Sequence, residues 1–274
     1  TSALLYHGGH RGLGSLSWEN QDGFAAAVRL SSTTSPDEAQ ALFSGRGVSH
    51  VILPSWDNFL EQYASLGSQE TEKTLVSLLQ RWLPPRWLRP IPYELPMIEG
   101  FAGASVSVFE VVEVQEQNLA LSRLAEYFVE TSRPDAAVAV SGALQQAFGG
   151  ELDSLVAQAQ VHAARLDGPS FGRVLQSLLP LVQAGSVDPA LPLDRRLALA
   201  SVLSQGRQAG LARTQLQQVM SELDESRLRS LTTGELYRLL TLSENLGVAF
   251  PGEHLATLAP RLLPPELRER RARG

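Results

Sequence analysis

His7-Gly8-Gly9-His10, followed by Gly12 and Gly14, sits between an apolar run (Ala3-Leu4-Leu5-Tyr6) and a helix-forming stretch that begins at Trp18. Glycines let backbone N–H groups approach an anion at a helix start, so a phosphate cradle is one reading of this loop. Its spacing is neither G-x-G-x-x-G nor a P-loop closed by Lys-Ser/Thr. A plain surface turn is the simpler reading, and no cofactor is expected. His7 and His10 with Glu19 and Asp22 offer the imidazole and carboxylate donors that suit zinc. H-x-x-H in a glycine loop lacks the fixed spacing of a helix face, so no metal is assigned.

The next segment, Ser17-Trp18-Glu19-Asn20-Gln21-Asp22-Gly23, is denser in polar chemistry. Ser17 can cap a helix, and the two acids favour its positive end. Alternatively Trp18, Glu19, Asn20 and Asp22 face a ligand, an aromatic plane with a polar edge, as a sugar requires. Ser55-Trp56-Asp57-Asn58 follows a strand pattern, and the carboxyl end of a strand is where sites form in α/β sheets. Trp56 and Asp57 complete the candidate ligand set. The simpler alternative is that Asp57 caps the next helix and Trp56 packs beneath it. His162 and His254 read as packing or surface residues. There is no G-x-S-x-G elbow and no cysteine, which removes thiolate catalysis and Cys-ligated zinc. No catalytic residue is assigned.

The elements that must hold these groups fall into two halves. Residues 1–116 carry 7 basic and 13 acidic side chains, and residues 117–274 carry 16 of each. An acidic first half repels phosphate backbones, so no nucleic-acid partner is expected. The periodicity changes at the same point. Before it, strand patterns (3–6, 48–53 and 105–114) alternate with helical ones (18–30, 36–43, 57–65 and 69–82), which predicts a small α/β layered domain over 1–116. The proline-rich stretch 83–97 reads as an irregular crossing. Trp82-Leu83-Pro84-Pro85-Arg86-Trp87-Leu88 within it reads as a stiff connector whose tryptophans pack on the sheet, with a membrane-interface segment as the rival.

From 117 to 265 the pattern is helical throughout, with short helices of similar length predicted at 117–131, 134–147, 151–166, 170–183, 193–206, 208–222, 233–246 and 252–263. This is the pattern of stacked helical hairpins. A tetratricopeptide-like template fits at Ala125, Phe128 and Ala137. It fits again at Ala159, His162 and Phe171, 34 residues on, and at Ala200, Leu203 and Ala212 after a further 41. The segment around Leu236, Leu239 and Leu240 fits poorly and reads as a cap. Residues 266–274 read as a solvated basic tail. The first helices of the hairpins are expected to line a groove for a protein partner, with Arg123, Glu126, Gln158, Arg196 and Gln205 as exposed contacts.

No window reaches the roughly 18–20 apolar residues of a membrane helix. The chain starts at Thr1 without an initiator Met and reads as part of a longer protein.

The order of pieces Tyr6, Trp18-Glu19-Asn20, Asp22-Gly23, Ser35-Pro36-Asp37-Glu38-Ala39 and Arg46-Gly47-Val48-Ser49-His50-Val51-Ile52-Leu53 resembles the extramembrane C-terminal region of bacterial multi-spanning glycosyltransferases. These use lipid-linked sugar donors and include relatives of the oligosaccharyltransferases. The resemblance covers about residues 3–55. It implies a soluble α/β domain on the periplasmic side of the inner membrane, attached to the membrane domain of a parent chain and contacting a glycan or peptide acceptor. It implies no catalytic centre here, because that family's catalytic acids lie on loops between membrane helices. The acceptor motif W-W-D-Y-G is also absent. The expected function is therefore a non-catalytic interaction domain of a glycosyltransferase-like membrane protein. The rivals are a free-standing helical-repeat scaffold and a soluble sugar-nucleotide-binding enzyme.

Overall fold

A computed structural model describes Gly12 and residues 20–95, 100, 102–185, 187–188 and 190–272. The expected strand at 3–6, the glycine loop with His7 and His10, and Ser17, Trp18 and Glu19 lie outside the described residues. The chain divides into two compact units, 1–116 and 117–274.

The first unit opens with α1 (Gln21–Ser32) and α2 (Pro36–Gly45). Ser35 starts α2 as its sequence suggests: its hydroxyl accepts from the Glu38 N–H at 3.3 Å, and Pro36 occupies the first helical turn, where its missing N–H costs nothing. β1 (His50–Pro54), α3 (Phe59–Gly67), a single 3₁₀ turn (Thr71–Lys73), α4 (Leu75–Gln80), β2 (Leu88–Ile91) and β3 (Val106–Val111) follow.

The sheet order is β1-β3-β2, and both pairings are antiparallel. Helices separate the strands and pack on the sheet, as expected of a small layered domain, and among the described residues no connection is a parallel crossover. Strand direction depends on which way each long connection returns, and local alternation does not encode that. β2 lies inside the stretch read as irregular. It tolerates Pro90 because it is an edge strand. The Val112 N–H donates to the Trp87 carbonyl at 2.9 Å, so Trp87 and then Arg89 occupy hydrogen-bonded positions. Pro90, opposite Phe109, falls between them, and its missing N–H faces away from β3.

One face of the sheet carries Val51, Leu53, Leu88, Phe109 and Val111 into a core with Leu30, Ala39, Phe43, Leu75 and Leu79. Both connector tryptophans join it. Trp82 lies 5.6 Å from Phe109, and Trp87 lies 5.1 Å from Phe43, ring centre to ring centre. Rings this close add about 0.5–1.5 kcal/mol each beyond the area they bury. α1 and α3 meet through small residues, with Gly67 against Ser32.

The second unit contains α5 (Gln117–Glu130), α6 (Pro134–Phe148), α7 (Leu152–Ala164), α8 (Gly168–Gln183), α9 (Leu193–Gln205), α10 (Ala209–Glu222), α11 (Glu225–Ser230), α12 (Thr233–Leu246), α13 (Glu253–Leu262) and α14 (Pro265–Ala272). α11 and α14 are additions to the elements read from sequence. Residues 266–272, read as a solvated basic tail, are helical; Glu266, Arg268, Glu269 and Arg270 are exposed, and Arg271 pairs with Glu244 of α12.

α5–α6, α7–α8 and α9–α10 are hairpins closed by one kind of turn. Ser132, Leu166 and Arg207 each take a left-handed backbone with φ of 56°, 57° and 59°. The N–H one residue later, on Arg133, Asp167 or Gln208, donates five residues back, to the carbonyl of Phe128, His162 or Leu203. This is the Schellman arrangement, built without glycine. Those carbonyls belong to the large residues of the repeat template, and Ala125, Ala159 and Ala200 are fully buried three positions earlier. Small side chains are needed there because packed helix axes approach to about 8–10 Å. α12–α13 repeats the theme with Gly247 in the left-handed position and the Val248 N–H donating to Ser243. Leu240 takes the place of the alanine.

The first helices of successive hairpins, α5, α7, α9 and α12, stack in order. α9 lies at the centre and is buried all round, including Arg195 and Arg196.

Candidate functional site

The candidate ligand residues of the first unit cluster around the starts of α1 and α3. Asn20 caps α1, its Oδ1 accepting from the Gly23 N–H at 3.1 Å, and Asp22 is exposed in the first turn. Asp57 Oδ1 accepts from the Phe59 N–H at 2.9 Å and so shapes the turn into α3. Both polar residues therefore have structural work. Trp56 does not pack beneath α3; it is 51% exposed. Just before it, the Ser55 N–H donates to the Ser105 carbonyl and the Ser55 hydroxyl accepts from the Ser105 N–H, both at 2.9 Å. These two bonds clamp the chain leaving β1 to the chain entering β3, which fixes the position from which Trp56 projects.

Sequence reasoning missed the rings between these two helix starts. Phe24 meets Tyr63 edge-on at 5.3 Å, and Phe59 stacks on Tyr63 at 6.3 Å. Phe24 and Phe59 are both exposed. Because Phe24 meets Tyr63 while Ser32 meets Gly67, the N-terminal ends of α1 and α3 lie on the same side. The result is an exposed aromatic surface bordered by Asn20, Asp22, Asp57 and Asn58. Such a surface can bind the apolar face of a ligand while its polar edge takes hydrogen bonds. The available signal was the i, i+4 spacing of Phe59 and Tyr63.

In the second unit the structure corrects the expected exposed groove. Of the five predicted partner contacts only Gln205 is exposed. Arg123 of α5 makes a bidentate pair with Asp194 of α9, both contacts at 2.8 Å. Glu126 of α5 is buried against Arg195 of α9, which also donates to Asp153 of α7 at 2.8 Å. Gln158 is 3% exposed and donates to Ser154. Arg196 reaches Glu222 of α10 at 3.1 Å. Further along α5, Glu130 accepts from Arg238 of α12 at 2.8 Å. Asn118, Ser122, Glu126 and Glu130 recur every fourth residue, so they form one polar stripe on α5.

Burial alone would strip Arg195 of its proton more easily. The carboxylates of Glu126, Asp153 and Asp194 outweigh that and hold its guanidinium firmly charged. Arg195 is therefore a structural ion, and the inner face of the stack is filled by its own charges.

Among the described residues, no group of three or more His, Cys, Asp or Glu side chains is placed to hold a metal ion. His162 lies 3.5 Å from Asp167, and His254 lies 2.8 Å from Glu225. No described helix is long and apolar enough to cross a membrane. Compared with known protein families, curated proteins and solved structures, the chain matches none.

Proposed function

We propose that this chain is a non-catalytic interaction module of a glycosyltransferase-like membrane protein, facing the periplasm. In this reading the helical unit is a tetratricopeptide-like stack that contacts a protein partner, and the first unit contacts a glycan or peptide acceptor. The observation that carries the interaction role is the thrice-repeated hairpin, with the same turn geometry and a fully buried alanine at the same place in each first helix. Repeats of this kind stack into an extended surface rather than around a single enclosed pocket. The parentage rests on the resemblance carried by residues 3–55.

Because the inner face is self-paired, the partner surface is assigned to the edge formed by the hairpin turns. Ser132, Leu166 and Arg207 are exposed there, with Gln205 beside them, and Leu166 is 93% exposed. The acceptor surface is the aromatic group Phe24, Phe59 and Tyr63 with Trp56.

Calorimetric titration of the whole chain with short glycans, acceptor peptides, nucleotide sugars and polyprenyl-phosphate-linked sugars tests the reading. Binding of a glycan or peptide that Phe59→Ala with Trp56→Ala abolishes, without sugar transfer, is the expected outcome. Sugar turnover lost in Glu19→Gln with Asp22→Asn would overturn it. No heat with any glycan or peptide would remove the acceptor role.

A further inference from the structure

The polar stripe of α5 ends in a contact that joins the first hairpin of the stack to the last. Glu130 and Arg238 are 108 residues apart, and each side chain is roughly four-fifths buried. The approach is close enough that a Cβ added at Gly234, in the first turn of α12, would stand 2.6 Å from Glu130 Oε2. Any side chain there would push the Glu130 carboxylate out of its present place.

The charges at this contact are unbalanced. Arg238 attracts the Glu130 carboxylate, while Glu126 on the same helix and Glu235 of α12 repel it. Arg195 of α9 stands against Glu126. Glu235 is itself held in place, its carboxylate accepting from the Thr232 N–H in a capping box. Three carboxylates therefore converge beside one arginine that faces Glu130.

We propose that Glu130 and Arg238 form a latch between the first and last hairpins, and that the ionisation of Glu130 sets how tightly the stack closes. A neutral Glu130 carboxyl keeps its hydrogen-bond acceptor for Arg238 and ends the repulsion from Glu126 and Glu235. The closed stack accordingly favours the proton: burial first, then those two carboxylates, raise the Glu130 pKa above the usual glutamate range. By linkage, closure is firmest below the ordinary glutamate value and weakens as pH rises through the raised one. Mild acid tightens the latch rather than opening it. This inference is independent of the role proposed above.

The chain has no cysteine, so spin labels can be placed at will. Gln146 of α6 and Thr257 of α13 are exposed and report on the two ends of the stack. With Gln146→Cys and Thr257→Cys labelled in the whole chain, electron–electron distance measurements are made at about pH 4, below the ordinary glutamate value, and at about pH 8.5, well above it. One short distance is expected in acid, with a second, longer component appearing in base. Glu130→Gln should keep the short distance at both values, and Arg238→Ala should show the longer component at both. A distance that does not change with pH overturns the proposal, as does a pH response that persists in Glu130→Gln. The Glu130→Gln comparison decides the matter even if Arg238→Ala does not fold.

Discussion

Arg123 and Asp194 are 71 residues apart in sequence, yet the Nε and Nη2 of one meet the two carboxylate oxygens of the other at 2.8 Å. Their side chains are 12% and 9% exposed, so both charges have left water almost entirely. A pair of this kind is costly to desolvate and costlier to break, because the surviving charge has no solvent to replace its partner. Asp194→Ala is expected to destabilise the helical unit by about 3–5 kcal/mol. The double variant Arg123→Ala with Asp194→Ala should recover part of that loss, a coupling of about 0.5–3 kcal/mol. Urea denaturation of the four chains measures it. Losses that simply add would show the two charges to be independent.

Leu166 is a large apolar residue in left-handed backbone, almost wholly in solvent. That conformation costs an ordinary L-residue about 1–2 kcal/mol and glycine nothing, though glycine gives back up to about 1 kcal/mol through its freer unfolded chain. Leu166→Gly should therefore raise stability by about 0.5–1 kcal/mol. At the equivalent position of the last hairpin the residue is already Gly247, with φ 61°. Gly247→Ala should lower stability by about 1 kcal/mol. Opposite signs in thermal melts are the test. A destabilised Leu166→Gly would mean that the leucine makes a contact the turn needs.

These hairpins were legible in the sequence because their requirements are local. A small residue must lie where two helices touch, and a large one three positions on must cover the turn, so Ala125, Ala159 and Ala200 mark the register without any knowledge of the whole. The ion pairs were not legible. Arg123 looks like a solvated helix residue until the stack brings α5 against α9, and Arg196 until its own hairpin sets α10 beside it, and no short window records either packing. The strand Leu88–Ile91 was hidden for a different reason. Pro90 argues against a central strand, and only the sheet order shows that it lies on an edge with its nitrogen facing outward. Around the candidate ligand surface, the polar residues were found from their types. The ring group was missed because Phe24 and Tyr63 meet only once α1 and α3 have packed.

That packing rests on Gly67. A Cβ built there would stand 2.1 Å from Ser32 Oγ and 2.5 Å from Ser32 Cβ, too close for any rotation of the serine to relieve. Gly67→Ala is expected to cost about 1–3 kcal/mol by forcing α1 and α3 apart. Adding Ser32→Gly removes the obstructing atoms and should restore part of it. Denaturant midpoints give the comparison. The glycan or peptide binding proposed for the surface of Phe24 and Tyr63 should weaken and recover in parallel.

At the far end of the helical unit, Glu225 of α11 accepts from His254 of α13 at 2.8 Å and from Arg229 at 2.9 Å. The hydrogen bond from His254, then that from Arg229, lowers the Glu225 pKa below the usual glutamate value. A lowered carboxyl adds stability that is fully present above its unfolded pKa and disappears as pH falls through the folded one. The group is solvent-exposed, so the contribution is small and salt-sensitive. Glu225→Gln should therefore melt below the wild-type chain near neutral pH, with the gap closing as the solution is acidified past the ordinary glutamate range. This is opposite in sign to Glu130, whose raised pKa makes its ionised form a cost at neutral pH. Melting Glu225→Gln and Glu130→Gln across the same pH series separates the two. The first should lose stability relative to wild type in neutral solution, and the second should gain it there and lose the advantage in acid. Parallel curves for the two variants would show that neither carboxyl titrates as its surroundings require.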